Sequence, residues 1–326
     1  RSRNTRARSE SFKKTNTVSP NIDVLLCLRK PPFCHANASF QCFIFSHVKM
    51  SLTLTLTFNF ICASFPFHRI PNHNDTLEVF ISIKKINVTF QAAIGWVDFD
   101  GGYAFNCGGS LISTRFVLTA RHCTSDPRAR EPAPSIVRLG EHNVDPDVDD
   151  GAEPVDVTIH KHPDYKPPKL YNDIALLEFD DVSFSTYIRP ACLWNQFNFG
   201  GHDKAIATGW GVNDTAKETR VNALQKVSLS LLDNEYCDPL LVHIHSRKWQ
   251  GFRDTQMCAG ELRGKKDTCQ GDSGSPLQVV SNNNQCIFYV VGVVSFGQRC
   301  ANGVPAVYTR VYSYLDWIEG IVWPGE

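Results

Sequence analysis

The chain has 326 residues, room for one large domain or two ordinary ones with real cores, and 42% of it is hydrophobic, which suits a globular protein. Lys+Arg and Asp+Glu balance at 33 each, so no global field favours nucleic acid or an acidic membrane surface. Twelve cysteines against two methionines point to an oxidising compartment, and sequons at Asn37, Asn74, Asn87 and Asn213 agree with secretion.

No stretch reaches the roughly 18 uncharged apolar residues of a membrane helix, so no membrane span is expected. The opening "RSRNTRARSE" is polar and basic and does not read as a secretory leader. Residues 47–65, "HVKMSLTLTLTFNFICASF", fit one better: Lys49 and Met50 precede a short apolar run and Ala63 and Ser64 follow it. The same run alternates with period two and reads equally as a strand. Residues 1–90 show no sustained periodicity and no repeat, and are expected to be an irregular segment.

From residue 91 the texture changes. Short β-branched and aromatic runs recur between Gly, Pro, Asn and Asp turns: "QAAIGWV", "SIVRLG", "DIALLEF", "AIATGWG", "FYVVGVVSFG" and "AVYTRVY". That spacing predicts an all-β fold over 91–326, a sandwich or a pair of barrels. Helical spacing is confined to "YSYLDWIEGIV", where Tyr314, Leu315, Trp317, Ile318 and Ile321 predict a short terminal helix.

Three motifs in this segment carry chemistry when taken together. "FVLTARHC" holds His122, "YNDIALLEF" holds Asp173 before an apolar strand, and "GDSGSP" sets Ser273 between glycines. A serine hydroxyl needs a base within hydrogen-bond reach, and histidine titrates nearest neutral pH. The imidazole needs a buried carboxylate to fix its tautomer and to stabilise the imidazolium. Gly271 allows a bend that points its own N–H and that of Ser273 at one oxygen, an oxyanion site. Each motif alone has a bland reading; the order His, Asp, Ser on a cysteine-rich β chain points to acyl transfer.

These motifs, with "CGGSLIS", "TGWG", "MCAG", "DTCQGDSGSP" and "VYTRV" in the same order, resemble the trypsin/chymotrypsin-fold serine proteases over residues 91–326. "HPDYKPPKLYNDIALL", "YIRPACL" and "YSYLDWIE" resemble the arthropod clip-domain members, nearest the snake-like ones. The resemblance implies two six-stranded antiparallel β-barrels with His122, Asp173 and Ser273 in the cleft between them. It implies a secreted endopeptidase of an extracellular zymogen cascade, in immunity, melanisation, clotting or development. Its partners would be a protein substrate cut after Arg or Lys, an upstream activating protease and a serpin-type inhibitor; no metal or organic cofactor is implied. Asp267, six residues before Ser273, would sit at the base of the primary pocket. Ser295 to Gly297 would form the opposite wall, and Ala306, where relatives with a wide pocket carry Gly, would narrow it by a methyl.

The resemblance further implies disulfides Cys107–Cys123, Cys237–Cys258 and Cys269–Cys300, and in Cys192 a tether to a cleaved pro-segment, with Cys62 as a candidate partner. Zinc at the paired histidines 160/162 or 243/245 lacks further ligands at any readable spacing. The oxygen-rich "DPDVDDGAE" loop with Glu141 and Asn143 reads either as a calcium loop or as a solvated acidic one.

Departures from the family concern activation. A freed Ile ammonium would pair with Asp272, and counting back from "QAAIGW" places that terminus near residues 75–80. The chain there reads "NDTLEVF"; Arg69–Ile70 is followed by Pro71. The four upstream cysteines lack the six-cysteine clip pattern. Either residues 1–90 are translated non-coding sequence in place of the true pro-segment, or the chain is a latent homologue acting as a binding scaffold. Arg121 beside His122, where the family has Ala, adds bulk behind the base; Ser275, usually Gly, is a milder change.

Overall fold

The computed structural model describes residues 25–26, 43–44, 88–145, 157–214, 219–220, 222–262, 268–282, 284, 286–298 and 303–325. By internal contacts the chain divides into two units, Arg1–Pro31 with Ser39–Ile61, and Pro32–Ala38 with Cys62–Glu326. In the first, β1 (Leu25–Leu26) pairs antiparallel with β2 (Phe43–Ile44). The candidate leader at 47–65 and the expected activation segment lie outside the described residues.

The second unit carries β3 (Gln91–Val97), β4 (Tyr103–Leu111), β5 (Phe116–Thr119), β6 (Ile136–Leu139), β7 (Thr158–Lys161) and β8 (Ala175–Glu178). These form one six-stranded antiparallel sheet in the order β6-β3-β4-β5-β8-β7. β9 (Cys192–Leu193), β10 (Lys204–Gly209), the β11 (Val212–Asp214) and β12 (Thr219–Arg220) pair, and β13 (Gln225–Leu232) follow. After α1 (Asn234–Cys237) come β14 (Gln256–Gly260), β15 (Pro276–Val280), β16 (Phe288–Phe296), β17 (Ala306–Arg310) and α2 (Leu315–Val322). The second sheet runs β15-β10-β13-β14-β17-β16, and a further pairing of β15 with β16 closes it into a six-stranded barrel. The all-β reading holds, with one addition: β9 joins β16 in parallel as a seventh strand.

Packing explains why these runs are so apolar. Ile94, Leu111, Leu118, Leu176 and Leu177 fill the first sheet, and Val290 and Val293 of β16 join the same cluster. Leu229, Met257, Leu277 and Tyr308 fill the second. β3 is buried on both faces, which is why "QAAIGWV" is nearly continuous in apolar character. Its one polar residue, Gln91, is wholly buried and spans the two sheets: Thr208 Oγ1 donates to Gln91 Oε1 at 2.7 Å, and Gln91 Nε2 donates to Ser275 Oγ at 3.2 Å. The extra hydroxyl of Ser275 is thereby satisfied.

The terminal helix forms as expected, preceded by a 3-10 turn, Val311–Tyr314, with Ile318 and Val322 buried. Two further helical stretches were not expected: a 3-10 turn at Arg121–Thr124, and α1 continuing into a 3-10 helix at Asp238–Ile244. The first is a single turn, too short to register as periodicity, and in the second α winding gives way near Pro239 to three residues per turn, so no single period runs through it.

Candidate active site

β5 runs into the 3-10 turn that presents His122, and the Cys107–Cys123 disulfide ties that turn to β4. Asp173 lies just before β8, after Asn172, whose φ of 57° is the left-handed conformation that Asn tolerates best among non-glycine residues. Tyr314 Oη donates to Asn172 Oδ1 at 2.9 Å, and Thr309 Oγ1 donates to the Asp173 carbonyl at 2.8 Å. The terminal helix entrance and β17 therefore hold the segment that aims the carboxylate.

The carboxylate is buried and fully engaged. Oδ2 meets His122 Nδ1 at 2.8 Å and accepts from Ser295 Oγ at 2.6 Å; Oδ1 accepts the His122 backbone N–H at 2.9 Å. Burial pushes the Asp173 carboxyl up, yet the His122 charge and these hydrogen bonds hold it below its ordinary value. Burial pushes the imidazole down, but the Asp173 charge and hydrogen bond raise it further, to above its ordinary value. Nδ1 thus carries the proton given to Asp173, leaving Nε2 free to accept one.

Ser273 sits on the turn before β15. Its carbonyl accepts the Gly108 N–H at 2.8 Å, and a Cβ on Gly108 would crowd Ser275 Oγ, so glycine there lets β4 approach this loop closely. Gly271 has φ +99°, as a bend favouring glycine requires. Among the described residues neither the Gly271 nor the Ser273 N–H is spent in a hydrogen bond, so each is free to donate. No hydrogen bond joins Ser273 Oγ to His122; such contacts are often loose without substrate.

Ser273 opens on a cleft of about 630 Å³ lined also by Thr268, Gln270, Ser295, Phe296, Gly297 and Ala306. A Cβ at Gly297 would stand 3.3 Å from the Ala306 Cβ, so the two walls come close at the position where narrowing was expected. Asp267 and Cys300 lie outside the described residues. Cys237–Cys258 forms as expected, and Cys192 and Cys269 are each disulfide-bonded to a cysteine outside the described residues.

Asp272 is not among the residues that line the cleft. Its carboxylate accepts the Gly211 N–H at 2.9 Å and the Cys269 N–H at 2.7 Å, and burial pushes it up to about 6. No cationic side chain among the described residues forms an ion pair with it.

Arg121 departs from expectation. Its guanidinium turns away from the imidazole and stacks over the Tyr165 ring, 4.4 Å from the centroid, so the His122–Asp173 contact is intact. The charge still opposes protonation of His122. Arg121→Ala should therefore move the rising limb of the pH profile of kcat/KM to higher pH at low salt, measured on a short arginine amide. Sequence reading placed Ser295 in the pocket wall only and missed its bond to Asp173, along with Tyr314, Thr309 and Gln91; all act across more than 100 positions.

Three of the four paired histidines have ordinary partners, and His243 is exposed. His160 meets Glu178 at 2.8 Å, His162 lies against Tyr314 and Trp317, and His245 meets Asp238 at 3.4 Å. Glu141 is buried, with a carboxylate oxygen 3.9 Å from Arg138; residues 146–156 of its loop lie outside the described residues.

The chain matches the family model described as Trypsin over residues 83–318. It is 39% identical over 242 residues to Serine protease Hayan of Drosophila melanogaster, covering 72% of this chain and 37% of the relative. It is 38% identical over 237 residues to Serine protease snk of the same fly, covering 71% and 53%. CLIP domain-containing serine protease B4 of Anopheles gambiae is 40% identical over 238 residues, covering 68% and 63%. The chain thus spans between about a third and two thirds of the length of these relatives.

Proposed function

Since this chain belongs to the trypsin family of serine endopeptidases, we propose that it cuts a protein substrate after Arg or Lys, outside the cell, within a zymogen cascade. The observation that carries the reading is the hydrogen-bonded cluster of half-buried His122, buried Asp173 and Ser295, the last of which lines the same cleft as Ser273. Ser273 Oγ attacks the scissile carbonyl carbon while His122 Nε2 takes its proton. The Gly271 and Ser273 N–H groups receive the oxyanion, and Asp173 stabilises the imidazolium. Collapse breaks the C–N bond as His122 protonates the leaving amine, and water repeats the sequence on the ester. Asp267 is the proposed partner of the substrate's guanidinium or ammonium. Residues 91–326 are the proposed protease domain. Profiling the processed chain on peptides varied at the residue before the cut tests this; cleavage confined to Arg and Lys is expected, and cleavage after apolar residues contradicts it.

Asp272 is the proposed partner of a freed N-terminal ammonium. Without that partner its ordinary pKa near 4 in the unfolded chain and its value of about 6 when folded set a sign. Between about pH 4 and 6 the unfolded chain gives up this proton first, so this residue's contribution to stability falls as pH rises through that window. Urea unfolding of the uncut chain should show that loss, and Asp272→Asn should remove it. A slope unchanged by Asp272→Asn contradicts the assignment.

A further inference from the structure

Two surface loops meet at one end of the cleft. Residues 165–171, leading to Asp173, and residues 243–253, leading to β14, hold Lys166, Lys169, Arg247, Lys248 and Arg253 and not one Asp or Glu. They are knitted together: the Leu170 N–H donates to the Lys248 carbonyl at 3.0 Å, and the Tyr171 hydroxyl donates to the Gly251 carbonyl at 3.0 Å while accepting the Gln250 N–H at 2.8 Å. Trp249 anchors the second loop through its Nε1–H bond to Gln256 and stands edge-on to Phe296 of the pocket wall, with ring centroids 5.5 Å apart. Leu170, Phe252 and Phe296 share the same apolar cluster.

The cations on this platform lack acidic partners. Lys166, Arg247, Lys248 and Arg253 are exposed and Lys169 is half-buried, and none makes an ion pair among the described residues. Arg253 lies over the Tyr171 ring at 3.8 Å, and Arg121 over Tyr165 at 4.4 Å, beside His122. Guanidiniums held flat on aromatic faces are preorganised and keep their N–H groups for an anion. Three acids flank the loops. The Asp238 carboxylate is taken by His245 and the Phe252 N–H; Asp164 donates its N–H to His162 Nδ1 and Asp254 accepts from Arg310 and Ser313 on its backbone carbonyl, so five cations stand against the two carboxylates left beside them.

We infer that this platform is a recognition surface for acidic residues lying several positions before the scissile bond of the substrate. The inference rests on the protease reading. A substrate residue in the cleft beside Ser273 sends the preceding chain along Ser295–Gly297 as an added strand. Successive residues on such a strand are about 3.3 Å apart, so the third to fifth residues before the cut pass Phe296 and reach the exposed cations that flank the buried Trp249. Exposed charges there act on encounter and on selection among substrates more than on the chemical step.

The test compares peptides that end in the same Arg-amide reporter and carry Asp/Glu, Ser/Gly or Lys at the third to fifth positions before the cut, with a single-residue arginine ester as reference. The ratio of kcat/KM for the acidic peptide to that for the ester should exceed the neutral peptide's ratio by about tenfold at low salt. It should fall as ionic strength rises from about 0.01 M to 1 M, over which the Debye length shrinks from about 30 Å to 3 Å. In a chain carrying Lys166→Glu, Lys169→Glu, Arg247→Glu and Lys248→Glu the preference should pass to the Lys peptide. Equal ratios for all three peptides with a working ester overturn the inference and leave the protease reading standing; no ester hydrolysis sinks the protease reading itself. In that case fluorescence anisotropy of the same peptides on the Ser273→Ala chain decides, and tighter binding of the acidic peptide, lost in the four-site variant, supports the surface, whereas equal binding of all three overturns it.

Discussion

Ser273→Ala is expected to lower kcat on a peptide amide by about a millionfold, the cost of losing the nucleophile of a triad that works as a unit. The other hydroxyls nearby cannot substitute: Ser295 Oγ is committed to Asp173 at 2.6 Å, Ser275 Oγ accepts from Gln91 at 3.2 Å and Thr268 Oγ1 meets the Tyr308 hydroxyl at 3.0 Å. A residual acceleration should remain, since the N–H groups of Gly271 and Ser273 belong to the backbone and survive the change. The fold should not notice. What holds the loop in place is the Ser273 carbonyl, through Gly108, and the glycine bend, and neither involves the hydroxyl. Thermal unfolding within about 0.5 kcal/mol of the parent, together with lost turnover, is the expected pair of results.

Asp173→Asn should cost about ten-thousandfold in kcat while preserving the shape of the site. The carboxylate accepts three hydrogen bonds, from the His122 ring, the His122 backbone and Ser295. A carboxamide has one oxygen for these and presents N–H donors on its other side. Where the amide nitrogen faces Nδ1, the ring must turn its lone pair there and carry its proton on Nε2, toward Ser273, where it cannot act as a base. Turnover measured against the number of sites that bind an active-site inhibitor separates this effect from misfolding. A loss below about tenfold would show that Asp173 does not set the tautomer.

Much of this site was legible because chemistry restricts residue types. A base, an orienting acid and a nucleophile have few side-chain solutions, so His122, Asp173 and Ser273 stand out from short motifs. The strands were legible for a related reason: "QAAIGWV" and "FYVVGVVSFG" are buried on both faces or at a junction, and such runs are hard to mistake. What stayed hidden depends on contacts that no local window contains. Gln91 reads as a polar start to a strand until Thr208 and Ser275, 117 and 184 positions away, close around it. Arg121 reads as a threat to His122 until Tyr165 offers its ring. The cationic platform is likewise split between two loops about 80 positions apart, which the Tyr171 hydroxyl joins. Asn172 passes for an ordinary turn residue, although its left-handed backbone and the Tyr314 hydroxyl set the direction of the Asp173 segment.

To cut a peptide bond in this cleft, Ser273 must be a nucleophile activated by His122. Treating the processed chain with a fluorophosphonate and locating the adduct by peptide mass spectrometry tests that most directly. A single adduct on Ser273, absent from the Ser273→Ala chain and forming ever more slowly below the pH at which His122 takes up its proton, is the predicted result. An unmodified Ser273 in a chain that has been cut and is correctly folded would contradict it, and would make this cleft a binding surface rather than a site of catalysis.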